Sequence, residues 1–460
     1  MKVIDKPKYQ LYRQNLTTQS RLKNFIVEIL LPCLLFGSLG AITWAIRGTS
    51  GWGGFDGAIL PGFTWAILWY YFCYKRGIDA RSTVFWLGLG IAIGGMLGYG
   101  QYVSWIQGKF FVNGIDDTRD INPIIGYIWF WICGAAWGGI GGVLLGWILN
   151  KEVSTKTWLL RIIIPLVFAL IGAMLVILLP QLFFPNYGQI NYVKSSCNDC
   201  IRTYKTNLTN MIALMWWIGA LVVAIIEKDK NTILCAGILG IGFGFAFAIS
   251  AMWTLGYAFA PGVIDWWKVW EINMGFFGGI LLAIVLYLVL KDFDKLYDIN
   301  GDLLRPISTE EQKDSTNESS FFPKPHQRAS VNLTFSFTIL LLIIFYGMTY
   351  KLGVNMGLFS TEQVEQYGFP IERVLLLLPL VIVLLLWFIH EYLELIKVLK
   401  EDELQVFIIP KIELKLNIFI CFIAFVGFIT IWPSVIWIIY IFFFIIGLIA
   451  LFLLEKLNPT

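Results

Sequence analysis

The chain has 460 residues, 58% of them hydrophobic and only 14% charged, with a mean hydropathy of +0.72. A soluble chain carries about a quarter charged residues, so a soluble globular protein is excluded. The formal net charge of +3 is too small to point to nucleic acid, and two histidines, His326 and His390, leave no histidine-based metal site to expect.

Segment 1–24 is basic and polar, with Lys2, Lys6, Lys8, Arg13, Arg21 and Lys23. It reads as a cytoplasmic arm. It lacks a small-residue cleavage site, so the helix after it is expected to be retained. Apolar runs long enough to cross a bilayer then recur from end to end. They predict an all-α integral membrane protein with about twelve transmembrane helices, in a plasma membrane or a bacterial inner membrane. The expected spans are 25–46, 57–74, 83–106, 122–149, 158–183, 207–226, 232–257, 269–290, 333–350, 372–391, 414–431 and 434–454.

Lysine and arginine set the orientation. After the arm they recur at Lys75, Arg76 and Arg81, at Lys151 and Lys156, at Lys228 and Lys230, and around Lys397 and Lys400. These are alternate loops, so both termini are expected in the cytoplasm. The loops at 47–56, 109–122, 184–207 and 258–268 then face outward.

The chain divides by texture. Residues 25–290 form Gly/Trp-rich helical hairpins and read as an eight-helix functional unit. Residues 291–332 read as a cytoplasmic linker, because mixed charge with Ser, Asn and Pro suits a solvated segment. Residues 333–460 read as four plain, bulky helices, which leave room for a homo-oligomer. KRGIDAR at 75–81 resembles the cytoplasmic loop motif of the major facilitator class. That class places its long loop after helix six, whereas here it follows helix eight, so its properties are not carried over.

Three helix ends repeat one texture: Thr43-Trp44 with Gly48, Ser104-Trp105 with Gly108, and Trp253 with Gly256. Hairpin repeats build sites in transporters. In the first, GTSGWGG at 48–54 suits a non-helical loop, tolerated at membrane depth where it lines a cavity or is buried in protein. The glycine runs GGIGG at 138–142 and GFFGG at 275–279 suit close helix packing.

Charge near hydrocarbon costs roughly 2.5–3.5 kcal/mol on insertion scales, so it is paired or faces a cavity. Arg47 is expected to pair with Asp56 or Glu271, or to grip a ligand. Trp266 and Trp270 lie four apart beside Asp265, Glu271 and Asn273, and aromatic faces next to carboxylates suit a sugar. Trp44, Gln101, Trp105 and Trp253 complete the expected ligand-binding rim.

GIDDTRDIN at 114–122 reads as a solvated loop with a helix cap rather than a cation site. Cys197 and Cys200 suit a structural disulfide in an outer loop. Asn207-Leu208-Thr209 matches the glycosylation pattern. No metal and no cofactor is expected.

The function that follows is a multi-pass transporter for a small polar solute, a sugar or sugar acid, with lipid as its surroundings. The alternative is a membrane enzyme acting at the outer surface on a lipid-linked or glycan substrate, with Asp56, Asp116, Asp265 and Glu271 as its carboxylates.

Overall fold

The computed structural model describes residues 2–3, 5–49, 55–112, 117–149, 154–190, 192, 198–296 and 436–457. The fold is helical. Among the described residues seven helices are long and apolar enough to cross a membrane. This is the architecture of a multi-pass helical membrane protein. The expected spans 333–350, 372–391 and 414–431 lie outside the described residues, as does nearly all of the linker.

The arm folds into α1 (Lys6–Thr18), capped by Asp5, and α2 (Arg21–Phe25) leads through a π-helical turn (Ile26–Leu30) into α3 (Leu31–Thr49). Next comes α4 (Phe55–Lys75), in which every side chain from Leu60 to Lys75 is buried. Strand β1 (Lys2–Val3) pairs antiparallel with β2 (Ile78–Asp79) just beyond α4. The third expected span, 83–106, is not one helix. It consists of α5 (Arg81–Gly94), an irregular stretch, and the short α6 (Tyr102–Ile106).

A hairpin of β3 (Lys109–Phe111) and β4 (Thr118–Asp120) follows. Helix α7 (Pro123–Leu149), α8 (Thr155–Leu178) and the single turn α9 (Pro180–Phe183) come after it. Helix α10 (Asn198–Ile226) begins well before the expected residue 207. Helix α11 (Lys230–Ser250) tightens into a 3-10 turn (Ala251–Leu255) and α12 (Gly256–Phe259). Finally α13 (Trp266–Asp294) and α14 (Ile436–Leu457) complete the described chain.

Glycine sets the two tightest helix pairs. Gly134, Gly138, Gly142 and Gly146 recur every fourth residue along α7 and meet Phe243, Leu239, Cys235 and Thr232 of α11 in antiparallel order. Gly40 of α3 and Gly275 of α13 lie backbone to backbone, and Gly279 backs onto the Phe36 carbonyl. Without an apolar driving force between helices in lipid, such close approach supplies the dispersion contacts that hold them.

One set of helix ends is tied by charge. Tyr9 donates to Asp294 at 2.9 Å and Arg13 pairs with the same carboxylate at 3.1 Å. Arg76 pairs with Glu28 at 3.1 Å, and Lys75 pairs with Glu455 at 3.0 Å. Arg161 reaches Asp229 at 3.0 Å and lies over Trp147 and Trp158, joining the ends of α7, α8, α10 and α11. The end of α14 therefore lies on the same side as the N-terminal arm. That side is called inner below, after its basic residues.

Candidate functional site

The site begins where the third span breaks. GGMLGYG places four glycines in the seven residues 94–100, and glycine weakens a helix by about 1 kcal/mol relative to alanine. Packing does the rest. The Trp137 indole donates to the Ile91 carbonyl at 2.7 Å, its ring pressing on Gly94. Gly95 N–H turns instead to the Ala92 carbonyl at 2.9 Å, a tighter turn that ends α5. Trp137 stands midway along α7, so the break lies near the middle of the bundle.

Broken backbone at that depth needs polar partners. Helix α10 provides them. Asn210 Nδ2 donates to the Gly98 carbonyl at 2.9 Å, and Tyr102 Oη lies 3.0 Å from the same nitrogen. Tyr102 donates to Asn207 Oδ1 at 2.8 Å, and Asn207 Nδ2 donates to the Phe183 carbonyl at 2.8 Å. Asn207 is fully buried and both its amide groups are engaged. It is therefore no glycan acceptor in this fold, whatever the Asn-Leu-Thr pattern suggests.

Beyond the break, α6, β3 and α10 enclose a cavity of about 350 Å³ on the side opposite the arm. Trp105, Phe110 and Phe111 form its apolar wall, while Gln101, Ser104, Gln107, Arg202 and Thr203 supply its polar groups. Several of those groups lack partners within the fold. Both amide atoms of Gln101 and the Thr203 hydroxyl are buried from solvent and make no hydrogen bond. Such groups cost about 1–3 kcal/mol each unless something satisfies them. The cavity is at the small end of the range of about 300–1,000 Å³ for ligand pockets.

Of the expected rim, Gln101 and Trp105 line this cavity. Trp44 and Trp270 do not, being fully buried in one aromatic core. Trp44 packs on Trp65 and Trp137, and Trp270 donates to the Phe247 carbonyl at 3.3 Å with Tyr99 and Phe130 against its ring. Trp266 stacks on Trp253 at 6.3 Å, so Trp266 and Trp270 share no open aromatic face. Asp265 caps α13, accepting from the Trp267 and Lys268 amides and from Tyr257 Oη at 2.8 Å. Asn273 donates to Ser250 at 3.1 Å.

Glu271 is fully buried and forms an ion pair with Lys268 one turn back. Its other oxygen accepts from the Trp267 indole at 2.9 Å, and Lys268 also donates to the Ala45 carbonyl at 3.2 Å. Trp267 in turn stacks on Tyr99 in the break, with ring centroids 5.7 Å apart. The carboxylate is thus connected to the break through two aromatic rings and does not line the cavity. Arg47 and Asp56 belong to α3 and α4, but their side chains, and the expected pairing between them, lie outside the described residues.

Cys200 is disulfide-bonded, while Cys197 lies outside the described residues. In 114–122, Asp117 and Arg119 form an exposed pair at 3.7 Å, and Asn122 accepts from the Ile124 amide at the start of α7. Asp116 lies outside the described residues, and among the described residues no group of three acidic, His or Cys side chains stands ready for a metal.

Tyr102, Asn210, Arg202, Thr203 and Lys268 were not singled out from the sequence. Thr203, Asn207 and Asn210 do carry a signal, a polar stripe at i, i+4 and i+7 on one helix face. No family model matches the chain, and no curated protein or solved structure matches it. Function is therefore argued from the site alone.

Proposed function

We propose that the chain is a multi-pass transporter of a plasma membrane or bacterial inner membrane, carrying a small polar solute of the sugar or sugar-acid class. The observation that carries this reading is the cavity at the broken span, lined by Gln101, Ser104, Gln107, Arg202 and Thr203, with the Gln101 amide and the Thr203 hydroxyl left without a partner among the described residues. Solute sites in transporters form where spanning helices are discontinuous, because freed backbone and inward polar side chains can then meet a ligand. The apolar wall of Trp105, Phe110 and Phe111 covers the C–H face of such a solute. The inner side is closed by the docked arm and its ion pairs, which suits a state open to the outside.

The test is mass spectrometry of small molecules retained by the gently purified protein, followed by uptake of the retained compound into proteoliposomes. Gln101→Ala and Thr203→Val are expected to lose both retention and uptake at unchanged membrane abundance. Unchanged uptake in both variants would sink the reading. A retained lipid-linked glycan that the protein converts to product would replace it with the membrane-enzyme reading.

A further inference from the structure

Resting on the reading that this cavity is the solute site, we propose that it selects a small hydroxylated organic monoanion, whose carboxylate is taken by Arg202. Arg202 is the lone charged side chain among the described residues lining the cavity. Among the described residues it forms no ion pair and no hydrogen bond with the fold. A guanidinium presents five donors in a planar fork that fits a carboxylate through two parallel bonds, and charge-assisted bonds of this kind are about twice as strong as neutral ones.

The chain makes room for this group. A methyl carbon added at Gly100 would stand 2.7 Å from Arg202 Nη2, so only glycine there lets the guanidinium lie against the backbone of the break. The neighbouring Thr203 hydroxyl and Gln101 amide have no partner among the described residues but are sealed from solvent, so they become donors only when a ligand draws them into the cavity. Ser104 and Gln107 have the opposite bias. Ser104 Oγ already donates to the Gln101 carbonyl at 2.9 Å, and Gln107 Nε2 donates to the Thr254 carbonyl at 3.3 Å. What Ser104 offers a ligand is acceptor oxygen, and Gln107 adds its Oε1 acceptor beside one remaining N–H, a set that suits hydroxyl groups on the ligand's body.

Charge then decides between anions. One guanidinium balances one carboxylate, and among the described residues the lining holds no second cation for a dianion such as phosphate. Burying the extra negative charge uncompensated would be costly. Lys109 of β3 and Lys205 of α10 lie outside the lining.

The experiment uses the full chain in detergent, titrated with lactate, gluconate and glucuronate, each beside its uncharged amide, and with inorganic phosphate. At least one acid is expected to bind about tenfold or more tightly than its amide. Arg202→Gln is expected to abolish that preference, weakening acid binding at least tenfold more than amide binding, while Arg202→Lys restores part of it. Because Arg202 is solvent-exposed, both variants are expected to melt with the parent chain. Amides binding as well as acids, phosphate binding more tightly than every acid, or no binding by any member of the panel would each overturn the inference. Acid binding without uptake into liposomes would keep it and remove the transporter reading. Uptake of neutral solutes without acid preference would do the reverse.

Discussion

Tyr102 donates its hydroxyl proton to Asn207 Oδ1 at 2.8 Å, joining the short helix beyond the break to α10. The Tyr102 hydroxyl oxygen in turn accepts from Asn210 Nδ2 at 3.0 Å, so one phenol serves both asparagines. Tyr102→Phe keeps the ring packing and strips this junction. It is expected to cost about 0.6–2 kcal/mol, the range for hydrogen bonds between membrane helices. The readout is a lower Tm in detergent with reduced solute retention. An unchanged Tm would mean the network does not hold the break.

Gly100→Ala separates binding from folding. The backbone there has ordinary φ, so alanine introduces no strain of its own, and the atom it meets is the flexible end of Arg202. Thermal stability is expected to stay within about 0.5 kcal/mol of the parent, as for substitutions away from buried features. Retention of solute is expected to fall at least as far as in Arg202→Gln. Retention equal to that of the parent chain would detach Arg202 from the site.

The buried Lys268–Glu271 pair calls for a double-mutant cycle. Removing one partner leaves the other charge buried, which costs about 3–5 kcal/mol. Glu271→Leu should therefore sharply reduce the amount of folded protein in the membrane. Lys268→Met combined with Glu271→Leu should recover much of it, since an apolar pair requires no compensation. A double variant as poor as Glu271→Leu alone would show that the pair serves more than charge balance.

Glycine at position 138 and glycine at 237 make a matched contrast on facing helices. A Cβ at Gly138 would collide with the Leu239 carbonyl and the Phe243 side chain, while at Gly237 it would meet nothing within 4 Å. Gly138→Val is expected to abolish the monodisperse peak in size-exclusion chromatography, and Gly237→Val to leave it intact. Comparable behaviour of both would refute the α7–α11 contact.

The arm is sensitive to alkali. Burial first, and then the charge of Asp294, hold the Tyr9 phenol well above its ordinary value of about 10. A proton bound more tightly in the folded state means docking is fully present below about pH 10 and is lost as pH rises toward the folded value. Protection from hydrogen exchange over residues 6–18, taken relative to the intrinsic base-catalysed rate at each pH, should fall above about pH 10 and hold below it. Tyr9→Phe should flatten that rise.

Most of the helices could be read from apolar runs, because the bilayer demands length and hydrophobicity whatever the neighbours do. The break at 94–101 could not. Its glycines weaken a helix without fixing where it stops, and what ends α5 is the Trp137 indole arriving from another span. The first turns of α10 were hidden for the opposite reason. SSCNDCIRTYKTN is polar enough to pass for a loop, and hydropathy does not record that Thr203, Asn207 and Asn210 turn inward to serve a neighbour. Tryptophan misled in a third way. Trp44 and Trp270 resemble a ligand platform in one dimension, yet their rings are fully buried against other aromatic rings.

The tie between Lys75 and Glu455 spans 380 positions of chain, and that between Tyr9 and Asp294 spans 285. The residues made first in synthesis thus wait for partners made late. Helix α4 can enter the membrane early, but its inner end meets its carboxylate only after α14 has followed. Closure of this side is therefore a record of completed insertion, and a chain cut short before Glu455 would carry its lysine to the membrane face with that partner still missing.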